Sequence, residues 1–329
     1  MKILFLADGS LKIGMGHIYR SLTLANELKK ENEIAFLTRE KLSSQIFKKK
    51  YKTFFVSINN FIKEKNIIKN FEPDLVIIDK LKERNITISN IQSITKNIIF
   101  IDYTKKNLKR NMHGLTMLYP ITGFSSEKST LKYAIINKNF SKNKIQTIKP
   151  VVKNIIILQG GSDTYCFTPK ILDSLNNIQQ KFCVTVVVGK SFKCWDRLNN
   201  SIKNSDHKIR LLSDVPSLAP IMKNHDIAIT AGGMTLLELA CVGVPSLVVC
   251  GEKFETETAR LLQKNNFGIN LGFGKNISKR KISNNLQFLA QNYALRKKMR
   301  ISGQNLIDAK GVIRVKDFIY KNFCNDSKF

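Results

Sequence analysis

Residues 2–30 read KILFLADGSLKIGMGHIYRSLTLANELKK, and this stretch decides the fold. Lys2–Ala7 is a short, nearly continuous apolar run, the pattern of a strand covered on both faces. A loop containing Gly9, Gly14 and Gly16 follows. Ile18, Leu22, Ala25 and Leu28 then recur at helical spacing. Strand, glycine loop and helix make the opening of a β-α-β unit. The alternation continues through EIAFLT (33–38), TFFVSI (53–58), DLVIID (74–79) and NIIFID (97–102), with helical stretches between. Such an order predicts a parallel sheet with helices on both faces.

Residues 141–150, SKNKIQTIKP, are polar and end in proline, and read as a linker. The pattern then restarts with NIIILQ (154–159), CVTVVVG (183–189), KIRLLS (208–213), DIAITA (226–231) and PSLVVC (245–250). From about residue 277 onward the sequence is mostly helical. Two α/β units are expected, a first over residues 1–145 and a second over 150–329. The substrate of such a pair is expected in the cleft between them, at the carboxyl ends of the strands.

Of the 329 residues 43% are hydrophobic and 24% charged, which excludes an extended disordered chain. No apolar run approaches the roughly 20 residues of a membrane span. The short N-terminal run reads as a buried strand rather than a signal peptide, so a cytoplasmic location is expected. The net charge of +29 comes mostly from Lys spread along the chain and reads as a solvated surface. No nucleic-acid partner is expected, and at most weak peripheral attraction to anionic lipid. The charge also suits steering of an anionic substrate. Cys166, Cys183, Cys194, Cys241, Cys250 and Cys324 form no C-x-x-C and no zinc spacing, so reduced thiols and no metal are expected.

Three loops carry candidate chemistry. In the first, Gly14 and Gly16 allow a ligand close to backbone N–H groups. Tyr19 stands where a dinucleotide fingerprint needs its third glycine, so no NAD or FAD cofactor is expected. His17 opens the first helix, where the helix dipole and Arg20 one turn on both favour a neutral ring able to act as general base. Asp8 is the expected partner that orients this ring. The second loop is Gly160-Gly161-Ser162-Asp163, directly after a strand. The third is Gly232-Gly233-Met234-Thr235, with Glu238 one turn into the next helix. Glycines at a helix N-terminus suit phosphate, and a carboxylate at that offset suits a ribose diol. No G-x-x-x-x-G-K-[ST] is present, so P-loop hydrolysis of ATP or GTP is not expected.

Taken together, Gly14-Met-Gly-His17-Ile-Tyr-Arg20-Ser-Leu, Tyr133-Ala-Ile-Ile, Gly160-Gly-Ser-Asp163, Gly232-Gly-Met-Thr-Leu-Leu-Glu238, Gly243-Val-Pro245-Ser-Leu and Ile307-Asp308-Ala-Lys-Gly311-Val-Ile-Arg314 resemble the nucleotide-sugar hydrolases of pseudaminic acid biosynthesis, also described as spore-coat polysaccharide proteins. The resemblance implies a GT-B fold, two Rossmann-like domains with parallel sheets facing each other across a cleft. It implies UDP on the C-terminal domain and the sugar at the N-terminal loop. It further implies metal-independent, inverting hydrolysis of the anomeric C–O bond of a UDP-linked 2,4-diacetamido-2,4,6-trideoxy sugar, with His17 as catalytic base. The substrate-binding positions would be Gly14, Gly16, Arg20, Gly160, Gly161, Ser162, Gly232, Gly233, Thr235, Glu238 and Glu255.

Three positions depart from the family pattern. Phe254-Glu255 replaces Asn-Gln, Asn137 replaces an arginine, and Asp102-Tyr103 replaces an aspartate pair. Two other functions share the same UDP site. One is a UDP-sugar glycosyltransferase related to the lipid-linked N-acetylglucosaminyltransferases. The other is a sugar-nucleotide-binding protein without activity, favoured only by Phe254-Glu255.

Overall fold

The computed structural model describes residues 1–9, 15–80, 83–101, 116–118 and 130–324, with the backbone alone at 116–118 and 130. The chain divides into two compact units, Met1–Asn137 with Lys310–Phe329, and Lys138–Ala309.

The first unit is built on six parallel strands, β1 (Lys2–Ala7), β2 (Glu33–Thr38), β3 (Lys52–Phe55), β4 (Leu75–Asp79), β5 (Ile98–Ile101) and β6 (Thr116–Leu118). Their order is β3-β2-β1-β4-β5-β6, that of a Rossmann sheet. Helices α1 (Gly16–Leu28), α2 (Lys41–Phe47), α3 (Phe61–Phe71) and α4 (Asn85–Gln92) connect the first five strands. Alternation along β1 explains the two-sided core. Ile3, Phe5 and Ala7 join one cluster with Ile18, Leu24, Ala25 and Leu28 of α1. Leu4 and Leu6 join the other with Ile68 and Phe71 of α3 and Ile88 and Ile91 of α4. Each fully buried Leu, Ile or Phe among them stabilises the unit by about 1.5–3 kcal/mol.

The second unit repeats the design with β7 (Asn154–Leu158), β8 (Cys183–Val188), β9 (Lys208–Ser213), β10 (Ile227–Thr230), β11 (Ser246–Cys250) and β12 (Ile269–Phe273). The order β12-β11-β10-β7-β8-β9 is the same topology, read from its opposite edge. Its helices are α5 (Lys138–Lys142), α6 (Phe167–Leu175), α7 (Trp195–Lys203), α8 (Ala219–Met222), α9 (Met234–Val242), α10 (Glu255–Lys264), α11 (Lys279–Gln291) and α12 (Tyr293–Leu306).

The unit boundaries differ from those expected at residues 145 and 150. The polar segment 141–150 belongs to the second unit, because its backbone is captured there. Arg296, fully buried, donates to the carbonyls of Lys149 (3.0 Å) and Pro150 (2.7 Å). Gln304 Nε2 donates to the carbonyl of Ile145 at 2.9 Å. The final helix, α13 (Gly311–Phe323), returns to the first unit. Val312, Val315 and Ile319 enter the core cluster that holds Ile3 and Phe5. Gly311 permits the return, since a Cβ there would stand 2.1 Å from the carbonyl oxygen of Ala134.

The cysteine expectation also needs correcting. Cys166 and Cys194 form a disulfide between residues that directly precede α6 and α7, with Cα atoms 5.8 Å apart. The two are 28 residues apart in sequence and share no motif, so nothing local announces the pair. Among the described residues, no helix is long and apolar enough to cross a membrane.

Candidate functional site

Ala7 of β1 stands opposite Asp79 of β4 in the parallel register. The sheet therefore delivers the Asp79 carboxylate, wholly buried, beneath the first turn of α1. His17 Nδ1 lies 2.7 Å from Asp79 Oδ1. Arg20 Nε donates to Oδ2 at 2.9 Å, Arg20 Nη2 donates to Oδ1, and Ser21 Oγ donates to Oδ2 at 3.1 Å. Burial alone would raise the Asp79 carboxyl. The Arg20 guanidinium and the hydrogen bonds from His17 and Arg20 more than offset this and hold it at about 2. An ionised carboxylate only accepts, so the ring donates to it from Nδ1, and in the singly protonated ring Nε2 is then the lone-pair nitrogen; Arg20 Nη2 also approaches Nδ1, at 3.1 Å. Nε2 bonds to no other described residue, and the His17 side chain is 11% exposed.

Arg20 is only 2% exposed and pairs with Asp79, the carboxylate that His17 also meets. In one respect the site departs from the sequence reading. Asp8 does not orient His17. It accepts from Thr38 Oγ1 and the Arg39 backbone N–H, each at 2.8 Å, and pairs with Lys80 at 2.5 Å. Burial would raise the Asp8 carboxyl, but Lys80 and these hydrogen bonds lower it. Lys80 also pairs with Glu83, and Arg39 bridges Glu83 and Glu64. Gly16 is the first residue of α1. Gly14 and Asp102-Tyr103 lie outside the described residues.

In the second unit Gly160 and Gly161 form an exposed turn, with Gly160 at φ +77°. Ser162 Oγ lies 3.2 Å from Thr164 Oγ1. Asp163 is buried and accepts the backbone N–H groups of Phe167 (2.8 Å) and Thr168 (2.7 Å). The N-terminus of α6 thus already holds an internal carboxylate, kept above its ordinary range by burial although these bonds oppose the shift.

At α9 the arrangement is different. Gly233 is its N-cap residue, no side chain caps it, and no acidic residue stands in its first turn. Thr235 lies in that turn, half-buried, with Glu238 one turn on. Burial pushes the Glu238 carboxyl up to about 7. Sequence reasoning missed two neighbours here. Gln159 follows β7 and Thr230 ends β10, both are buried, and their side-chain polar atoms bond to no described residue. Each unmet group costs about 1–3 kcal/mol, which natural chains accept chiefly where function or an ordered ligand requires it.

Glu255 opens α10 and turns its carboxylate back toward the same corner. Oε2 accepts the backbone N–H groups of Gly251 (2.7 Å), Glu252 (3.1 Å) and Gly232 (3.3 Å). Burial raises the carboxyl and these three bonds partly offset it. The Gly232 N–H expected at a phosphate is therefore engaged by a side chain. Phe254 beside it is 51% exposed.

Residues 155–310 match the glycosyltransferase family 28 C-terminal domain. The chain is 35% identical over 280 residues to the uncharacterized protein MJ1062 of Methanocaldococcus jannaschii, covering 78% of this chain. It spans 57% of that relative's length. It is 25% identical to the spore coat polysaccharide biosynthesis protein SpsG of Bacillus subtilis, with 96% of each chain covered. It is 23% identical to the UDP-2,4-diacetamido-2,4,6-trideoxy-beta-L-altropyranose hydrolase of Campylobacter jejuni, covering 82% of this chain and 98% of that one. The crystal structure of Acinetobacter baumannii MurG superposes with a TM-score of 0.65 at 13% identity, covering 97% of this chain and 99% of that one. The fold is GT-B: two parallel Rossmann sheets of the same strand order, superposing on that structure along nearly the whole chain.

Proposed function

We propose that this chain is a UDP-sugar-dependent glycosyl-transfer enzyme. The second unit holds the nucleotide, with the diphosphate at the N-terminal turn of α9 (Gly233, Thr235) and the ribose hydroxyls at Glu238. Gly160, Gly161 and Ser162 offer an exposed turn for the remainder of the donor. In the first unit, His17 Nε2 takes the proton of the attacking hydroxyl. The oxygen's electron pair forms the new bond to the anomeric carbon as the bond to the phosphate oxygen breaks, so UDP leaves with its electron pair and the configuration inverts. The observation that carries this reading is the glycine turn that opens α9, whose N-cap residue Gly233 receives no side-chain cap and whose first turn holds no acidic residue, with the partly buried Glu238 carboxylate one turn beyond. The match to the glycosyltransferase family 28 C-terminal domain over the same residues favours an acceptor other than water.

A second reading has water as the acceptor and a free 2,4-diacetamido-2,4,6-trideoxy sugar as product. The similarity to the Campylobacter jejuni hydrolase, along nearly all of that protein, favours it. The two readings share the UDP site and His17. Release of UDP from such a donor with no acceptor present selects water, and release that requires an added sugar or lipid acceptor selects transfer.

Glu238 links this function to stability. Its carboxyl, about 7 in the folded protein against an ordinary 4.5, binds its proton more tightly folded than unfolded. Stability therefore falls as pH rises from about 4.5 through 7 and stays reduced above that. Glu238→Gln is expected to be about as stable as wild type at pH 5 and about 1–2 kcal/mol more stable at pH 8, after allowing for partial exposure. Glu238→Ala should lose about 2 kcal/mol of UDP affinity, roughly 30-fold. Thermal melts at the two pH values and UDP calorimetry check both outcomes. Unchanged UDP affinity in Glu238→Ala removes the ribose assignment.

A further inference from the structure

The glycine corner of the second unit already contains an anion of its own. One Glu255 oxygen gathers three backbone N–H groups from two loops, Gly232 after β10 and Gly251 and Glu252 after β11. Three converging N–H groups form a nest of the kind that receives a phosphate or oxyanion oxygen. The other oxygen, Oε1, lies against Gly233, where a Cβ would stand 3.0 Å from it. Gly233 is the N-cap of α9, the turn assigned above to the diphosphate.

We propose that Glu255 is a specificity-determining residue of this corner: its carboxylate fills the anion nest, sets the charge that any diphosphate at α9 must meet, and opposes binding of that diphosphate while it is ionised.

The diphosphate placement rests on the proposed function, whereas the nest and its occupant do not. Two like charges in one desolvated corner disfavour each other, so the diphosphate binds best when Glu255 is neutral. Among the described residues, no cation figures among the groups that shift the Glu255 carboxyl most. Residues Gly232–Thr235 carry no charge, and β12 brings no charged residue. Glu252, on the same turn as Glu255, adds like charge. The Cys250 thiol stands at the end of β11, and its own shift upward by burial keeps it neutral. The remaining charged groups on these elements are Lys253 before α10, Glu257, Arg260 and Lys264 within it, and Glu238 on α9. The desolvation that raises the Glu255 carboxyl acts in the same direction as an arriving phosphate.

Inorganic pyrophosphate is the direct probe, because it lacks the ribose that would engage Glu238. At pH 8, Glu255→Gln should bind pyrophosphate roughly tenfold or more tightly than wild type, the equivalent of one pKa unit of like-charge repulsion. The advantage should shrink as the pH is lowered and wild-type Glu255, raised by burial, takes up a proton. The nest is read separately in Glu255→Ala, whose lowered melting temperature should recover in millimolar formate while wild type is unmoved. Equal or weaker pyrophosphate binding by Glu255→Gln, or no formate effect on Glu255→Ala, overturns the inference. If Glu255→Gln binds pyrophosphate as expected but neither protein binds UDP, the nucleotide assignment fails and the role of Glu255 stands.

Discussion

His17→Asn should lower kcat for UDP release by about 10²–10⁴-fold, the usual contribution of a positioned general base. The attacking hydroxyl is a poor nucleophile until its proton is withdrawn as the anomeric bond breaks. His17 Nε2 suits that task because Nδ1 meets the Asp79 carboxylate at 2.7 Å, which holds the ring plane and favours the tautomer with its lone pair on Nε2. Asparagine keeps a polar group that can reach Asp79 but supplies no base. UDP affinity should be almost unchanged, because the nucleotide is assigned to the other unit. The acidic limb of the pH–rate profile should vanish with the imidazole. Steady-state kinetics and UDP calorimetry on the same preparation check all three outcomes. A variant that keeps most of its kcat, or that loses UDP binding outright, makes His17 a structural residue.

Asp79→Asn should be nearly as damaging, with kcat down by up to about 10⁴-fold, the scale seen when a buried aspartate that sets a histidine tautomer is made neutral. The asparagine amide can donate to Nδ1, which moves the ring proton to Nε2 and removes the base. The substitution also removes the Asp79 charge that pairs with the buried Arg20. Breaking a buried pair in this way costs about 3–5 kcal/mol of stability. Folding must therefore be verified by circular dichroism at the assay temperature. The readout that separates positioning from simple damage is the double variant. If Asp79 acts through His17, His17→Asn with Asp79→Asn should be no slower than His17→Asn alone. Additive losses, or a folded Asp79→Asn with normal kcat, contradict the positioning role.

Much of the fold is legible in the sequence because parallel strands buried on both faces announce themselves. KILFLA, DLVIID and NIIILQ are each too short for a helix and too apolar for a surface strand. The glycine loops are legible for the same reason, since they interrupt those runs at fixed places. The missing parts are those that depend on contacts between distant segments. Asp79 lies 62 residues from His17, and only the strand order, which seats β4 beside β1, brings them together. Asp8 looked equivalent from its place at the end of β1, yet Lys80, Thr38 and Arg39 take up its oxygens. Knowing that β4 neighbours β1 in a Rossmann sheet would have nominated Asp79, the last residue of DLVIID. The return of α13 was hidden because its apolar stripe of Val312, Val315 and Ile319 would serve either unit equally well. The internal carboxylate at Gly232 was hidden because a glycine loop reads as ready for phosphate whether or not a side chain already fills it.

The division of labour between the two units is tested most directly by UDP titration calorimetry on wild type, His17→Asn and Glu238→Ala under one set of conditions. Wild type and His17→Asn should bind UDP with nearly equal affinity, and Glu238→Ala should bind roughly 30-fold more weakly. Failure of wild type to bind UDP, or loss of binding in His17→Asn with none in Glu238→Ala, would contradict the assignment of nucleotide to the second unit and base to the first.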